Sequence, residues 1–98
     1  MIIVAGTISV KPGYVAEVYA HLTAMCDSTR KEPGCQFYHM AMEDEPSGRI
    51  LALEGWDDRQ SLDVHLVTPQ NTEFLAKFGN CVSTDVQIHE VSNSTAFT

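Results

Sequence analysis

Three strand-like segments of this chain are apolar at both parities, and no other feature constrains the fold as much. In residues 2–10, Ile2, Val4, Ile8 and Val10 share one face while Ile3 and Ala5 occupy the other. In 35–43, Cys35 and Phe37 alternate with Tyr38, Met40 and Met42, and His39 lies opposite the latter group. In 49–56, Ile50, Ala52 and Trp56 alternate with Leu51 and Leu53. An antiparallel sheet with one wet face shows a polar residue at every second position. Here both faces need cover. Helices can supply it for one face only, so the other is expected to pack on a second copy in a symmetric dimer.

Between the strands the period changes. Lys11-Pro12-Gly13 closes the first strand with a turn signal, and Val15, Val18, Tyr19, Leu22, Met25 and Cys26 then recur at helical spacing. Arg30 and Lys31 are expected in the last turn of that helix, where positive charge suits the dipole, and Pro33-Gly34 stops it. Strands over 35–43 and 49–56 make a hairpin around the turn residues 44–48. Asp57, with Gln60 three residues on, reads as a capping box opening a second helix that carries Leu62, His65 and Leu66 on one face. Thr68-Pro69 ends it and caps a third, whose Phe74, Leu75 and Phe78 are expected to face inward. A last strand covers 81–91, and 92–98 is a polar tail. The order β-α-β-β-α-β is the ferredoxin-like arrangement of the α+β class, an antiparallel four-stranded sheet with helices on one face. One domain over 1–98, ordered over about 2–91, is expected.

Composition narrows the function. Of 98 residues, 44% are hydrophobic and 19% charged, the profile of a folded domain able to bury roughly 60–65% of its unfolded surface. Thirteen acidic against six basic residues give a net charge of −7, so the basic face that nucleic acid or anionic lipid requires is missing. No apolar window is long enough for a membrane span, and Met1-Ile2-Ile3-Val4-Ala5 is too short for a signal peptide. Cys26, Cys35 and Cys81 form no CxxC pair and read as reduced thiols, so a cytoplasmic location is expected. The four histidines show no HxH or HxxxH spacing, so no metal site is expected.

Several segments, in order from about Ile2 to Val91, resemble the antibiotic biosynthesis monooxygenase family of small dimeric α+β barrels. They are the first strand with Val10-Lys11-Pro12-Gly13, then Arg30-Lys31-Glu32-Pro33-Gly34-Cys35 with Tyr38, then Glu54-Gly55-Trp56, His65 and Thr68-Pro69. The resemblance implies protomers whose sheets meet face to face and an apolar pocket between sheet and helices. It also implies oxidation of phenols or quinols by dioxygen with no flavin or metal. Other members degrade haem, and similar proteins isomerise a phosphorylated sugar, so the family is a better guide to fold than to reaction. Two departures bear on this. Many relatives carry a histidine after the Thr-Pro pair, where this chain has Gln70-Asn71, and the haem degraders share an asparagine on the first strand, where it has Gly6-Thr7.

Four residues are candidates for the site. His65, beside Leu62 and Leu66, is the candidate catalytic residue, because an imidazole can accept or donate a proton near neutral pH. Trp56 can form a flat wall for an aromatic substrate and offer one N–H donor. Glu54 is a carboxylate among apolar neighbours and needs a partner: Arg49, Arg59, a backbone group, or a group across the dimer. Tyr38 can hold a substrate oxygen or belong to an interface. The expected activity is oxygenation of a small apolar phenolic or quinol compound without a cofactor. The alternatives are a non-catalytic dimer binding a small molecule, and an isomerase or lyase using the same pocket.

Overall fold

The computed structural model describes residues 1–98. Its elements are β1 (Ile2–Val10), α1 (Val15–Thr29), β2 (Cys35–Asp44), β3 (Arg49–Trp56), α2 (Arg59–Leu66), α3 (Pro69–Phe78), a single 3₁₀ turn (Gly79–Cys81) and β4 (Val82–Glu90). The strands form one antiparallel sheet in the order β2-β3-β1-β4, the ferredoxin-like topology. No helix is long and apolar enough to cross a membrane.

The hydrophobic core lies entirely on the helix side of the sheet. One cluster joins Ile8, Val10, Ile50 and Ala52 of the sheet to Val18, Leu22 and Met25 of α1 and Phe74 and Phe78 of α3. A second joins Ile2, Val4, Tyr38 and Trp56 to Cys26 of α1 and Leu62 of α2. The opposite face is bare. Leu51 and Leu53 are 44% and 42% exposed there, and register places Ala5 beside Leu53 and Ile3 beside Gly55.

Local geometry departs from the sequence pattern at several points, each with a visible cause. The N-cap of α2 is Asp58, not Asp57: its Oδ1 accepts the Ser61 amide at 2.8 Å. Asp57 is otherwise engaged, since its carboxylate accepts from Gln36 Nε2 at 2.9 Å and its amide donates to the Gly34 carbonyl at 2.8 Å. Helix α1 stops at Thr29, so Arg30 falls outside its last turn; the guanidinium Nε donates to the Tyr38 carbonyl at 3.0 Å instead. A bulge at Gln36 sets Cys35 opposite Trp56 and Phe37 opposite Gly55. Cys35 therefore joins the helix-side cluster, and Phe37 alone of that pair lies on the open face. Cys81 lies in the 3₁₀ turn rather than in β4, and Leu75 of α3 is exposed where an inward position was expected.

Gly6 is fixed by close approach. At Gly6, a Cβ would fall 2.1 Å from the Asp85 carbonyl oxygen of the adjacent β4. Gly6 and Ala52 are also paired at the centre of the cross-strand row Met40, Ala52, Gly6, Val86, where the sheet floor has almost no side chain. Gly6→Ala is expected to push β1 and β4 apart and cost ~1–3 kcal/mol, read as a lower urea midpoint. An unchanged midpoint contradicts the close packing.

Candidate functional site

The shallow floor leaves an apolar cavity of about 300 Å³ between sheet and helices. Val4, Ile8, Ala52 and Val86 line it from the sheet, and Leu22 and Phe74 from α1 and α3. Leu66, Leu75 and Ile88 also line it while remaining substantially exposed, which gives its mouth an apolar rim. Tyr38, Glu54, His65, Asn71 and Thr84 are its polar lining, and no lysine or arginine reaches it.

His65 projects from the last turn of α2 and is 2% exposed. Its Nδ1 lies 3.1 and 3.2 Å from the two carboxylate oxygens of Glu32, a residue of the α1–β2 turn. The imidazole packs against two aromatic rings, with centroids 4.8 Å from Trp56 and 5.5 Å from Tyr38. No buried side-chain nitrogen or oxygen in the chain lacks a hydrogen-bond partner. His65 Nε2 and Tyr38 Oη make no hydrogen bond within the chain, so both retain access to open space; the residues that carry them line the cavity.

Glu54 finds its partner two residues along its own strand. Residues i and i+2 share a face, and Trp56 Nε1 donates to Glu54 Oε1 at 3.0 Å. The arginines expected for this role are elsewhere: Arg49, on the opposite parity, pairs with Glu43, and Arg59 pairs with Asp63 at 2.9 Å. Trp56 itself is fully buried and does not line the cavity. It stands behind His65 and Glu54 as their support, not as the expected wall of a slot. Gln70 turns away from the cavity and donates to Thr29 Oγ1 at 3.3 Å, tying α3 to α1, whereas Asn71 lines the cavity while its amide holds the Leu66 carbonyl at 2.9 Å.

Burial governs the electrostatics. It pushes the Glu54 carboxyl above its ordinary range, against the opposing effects of the Trp56 N–H and of His65, while Glu32 raises it further. Burial, and secondarily Glu54, pushes the Tyr38 phenol far above its ordinary value, so it stays neutral. No group of three or more His, Cys, Asp or Glu side chains is gathered where it could hold a metal ion. The arrangement is thus an apolar chamber with a neutral phenol, an imidazole and a carboxyl group at its inner end.

The family model for antibiotic biosynthesis monooxygenase matches residues 1–77. The chain belongs to that family. All four candidate residues, and Glu32, fall within the matched span, whereas β4 and its cavity residues follow it. Among solved structures, a candidate antibiotic biosynthesis monooxygenase from Deinococcus radiodurans superposes with a TM-score of 0.87 at 24% identity, covering 100% of this chain and 99% of that one. A conserved protein from Methanosarcina mazei Go1 is 30% identical with a TM-score of 0.78, over 90% of this chain and 89% of that one. An uncharacterized protein of Synechocystis sp. (strain ATCC 27184 / PCC 6803 / Kazusa) is 30% identical over 95 residues, 95% of this chain. The chain spans 65% of that relative's length.

The structure brings His65, Tyr38, Glu54 and Trp56 to one place, and adds Glu32, which sequence reasoning had used only as part of a junction. An acidic residue just past a helix C-terminus, where the dipole disfavours it, is the signal that it serves something other than the helix.

The raised Glu54 fixes a pH dependence. A carboxyl that binds its proton more tightly when folded contributes most stability below its unfolded value near 4.5, and that contribution is lost as pH rises through the folded value. Glu54→Gln keeps an oxygen for the Trp56 N–H and removes the buried charge. Thermal unfolding should show E54Q gaining on the wild type most at about pH 8, the gain shrinking toward about pH 5. A gain that grows on acidification contradicts the assignment.

Proposed function

We propose that this protein is a homodimeric, cofactor-independent monooxygenase that oxidises an apolar phenolic or quinol-type compound with dioxygen. The observation that carries the reading is His65, with a ring nitrogen unbonded by the protein, lining a mostly apolar cavity. In this reading a flat, neutral aromatic molecule enters past Leu66, Leu75 and Ile88, and its hydroxyl meets His65. Proton transfer to the imidazole leaves a phenolate rich enough in electrons to reduce dioxygen without a mediator. One oxygen atom is retained in the oxidised product and the other departs as water, the hydrogens coming from the substrate. Tyr38 Oη, held neutral by burial, is a hydrogen-bond donor to the substrate's second oxygen. The absence of any cationic lining residue, together with the net charge of −7, favours an uncharged substrate over a phosphorylated one.

Oxygen consumption measured with a panel of hydroquinones and anthrones tests this directly. Uptake should survive chelators and fall at least ~100-fold in His65→Ala, the lower end of what a positioned base contributes. Binding without turnover across the panel would assign the cavity to a ligand-binding protein, and product formed without oxygen consumption would assign it to isomerase or lyase chemistry.

The dimer part of the reading rests on the bare sheet face. In a two-fold assembly each residue of that face meets the same surface of the partner, so a charge placed at its centre is buried twice. Leu53→Glu, on a central strand, should convert a species of twice the chain mass to the monomer in sedimentation equilibrium. Wild-type protein that sediments as a monomer overturns the assignment.

A further inference from the structure

The part-buried contact between Glu32 and His65 says more about the site than that a histidine is present. Glu32 is rigidly held: its amide donates to the Thr29 carbonyl at 3.0 Å, its carbonyl accepts the Cys35 amide at 3.1 Å, and Pro33 follows it. Its carboxyl group places both oxygens within 3.2 Å of the same ring nitrogen, Nδ1. An ionised carboxylate only accepts, so Nδ1 must carry the hydrogen. A neutral imidazole has one N–H, and the other nitrogen is then an acceptor.

We infer that Glu32 is a positioning residue that holds His65 in the tautomer whose Nε2 lone pair is free to take a proton from a ligand in the cavity. The inference rests on the proposed reading of His65 as the base, and it explains what makes a buried histidine competent for that role. Without a fixed acceptor at Nδ1 the ring would distribute its hydrogen between the two nitrogens, and the fraction with Nε2–H could not accept a substrate proton. When Nε2 gains the proton, Nδ1–H stays on Glu32, and the imidazolium has a carboxylate already in contact. No other change in bonding is needed: one O–H of the ligand breaks and one N–H of His65 forms. The alternative is that Glu32 only pins α2 to the α1–β2 turn, which would matter for stability and leave the tautomer unaffected.

Long-range ¹⁵N–¹H spectra of the labelled protein decide between them, with the His65 signals assigned by their loss in His65→Gln. At a pH where the ring is neutral, wild-type His65 should show a protonated Nδ1 and an unprotonated Nε2. In Glu32→Ala that preference should collapse toward Nε2–H, and kcat on any turned-over phenol should drop at least ~10-fold with KM within about twofold. Wild-type His65 with its hydrogen on Nε2, or an E32A spectrum with the tautomer unchanged, overturns the inference. Should E32A fail to fold, the wild-type spectrum still tests it, since a neutral ring with its hydrogen on Nε2 overturns the inference. The spectrum does not depend on turnover, so a fixed tautomer with no oxygen consumption would sink the monooxygenase reading and leave the dyad standing.

Discussion

The site depends on how closely the α1–β2 turn approaches helix α2. Gly34, at φ 82°, lies so near Ser61 that a Cβ there would fall 2.2 Å from the serine Oγ. Two other contacts share this seam: the Asp57 amide on the Gly34 carbonyl at 2.8 Å, and Glu32 on His65. Glycine supplies both the left-handed backbone and the missing side chain. Without that approach α2 would stand farther from the sheet, and His65 would lose its carboxylate together with its contacts to Trp56 and Tyr38. A turn that reads in sequence as simple helix termination is therefore what aims the imidazole.

Two carboxyl groups, one imidazole and one phenol gather around His65, three of them lining the cavity and Glu32 standing behind it. Two carboxylates near one another in a poorly solvated region repel, and only one of them has an imidazole within hydrogen-bonding distance. Glu32 is partly buried and holds both carboxylate oxygens against Nδ1 of His65. Glu54 is deeper, has a single neutral donor in Trp56 Nε1, and is pushed toward its protonated form. The two carboxyls thus differ in setting, one against an imidazole nitrogen and the other held by an indole N–H and inclined by burial to keep its proton.

Much of the fold was legible because hydrophobic period and turn chemistry agree along the chain. The strand–helix order and the Thr68-Pro69 start of α3 follow from that agreement. What could not be read depends on single competing contacts. Asp57 loses the cap to Asp58 because Gln36 and Gly34 engage it first, and the bulge at Gln36 reverses the side on which Cys35 lies. Glu32 meets His65 across 33 residues of chain, a pairing that no local pattern encodes. Of the partners open to Glu54, the two arginines fail for the opposite reason. Charge suggested an arginine, but parity puts Arg49 on the far face, and the indole two residues away is nearer than any cation.

The doubly apolar strands acquire a different meaning once the cavity is in view. A small domain that hollows its own core forfeits packing contacts there, since side chains around a void lose partners on one side. Here the row through Ala52 and Gly6 gives up that packing at the middle of the sheet, beneath the space a guest would fill. Burying Leu51, Leu53 and Ile3 against a second copy would recover apolar burial at ~25 cal/mol per Å² on the other side of the same strands. Backing from a partner would also stiffen β1 and β3, the two central strands, at the point where the floor is thinnest. The cavity and the bare face are therefore two consequences of one choice, a sheet that spends its apolar residues outward so that it can leave room within.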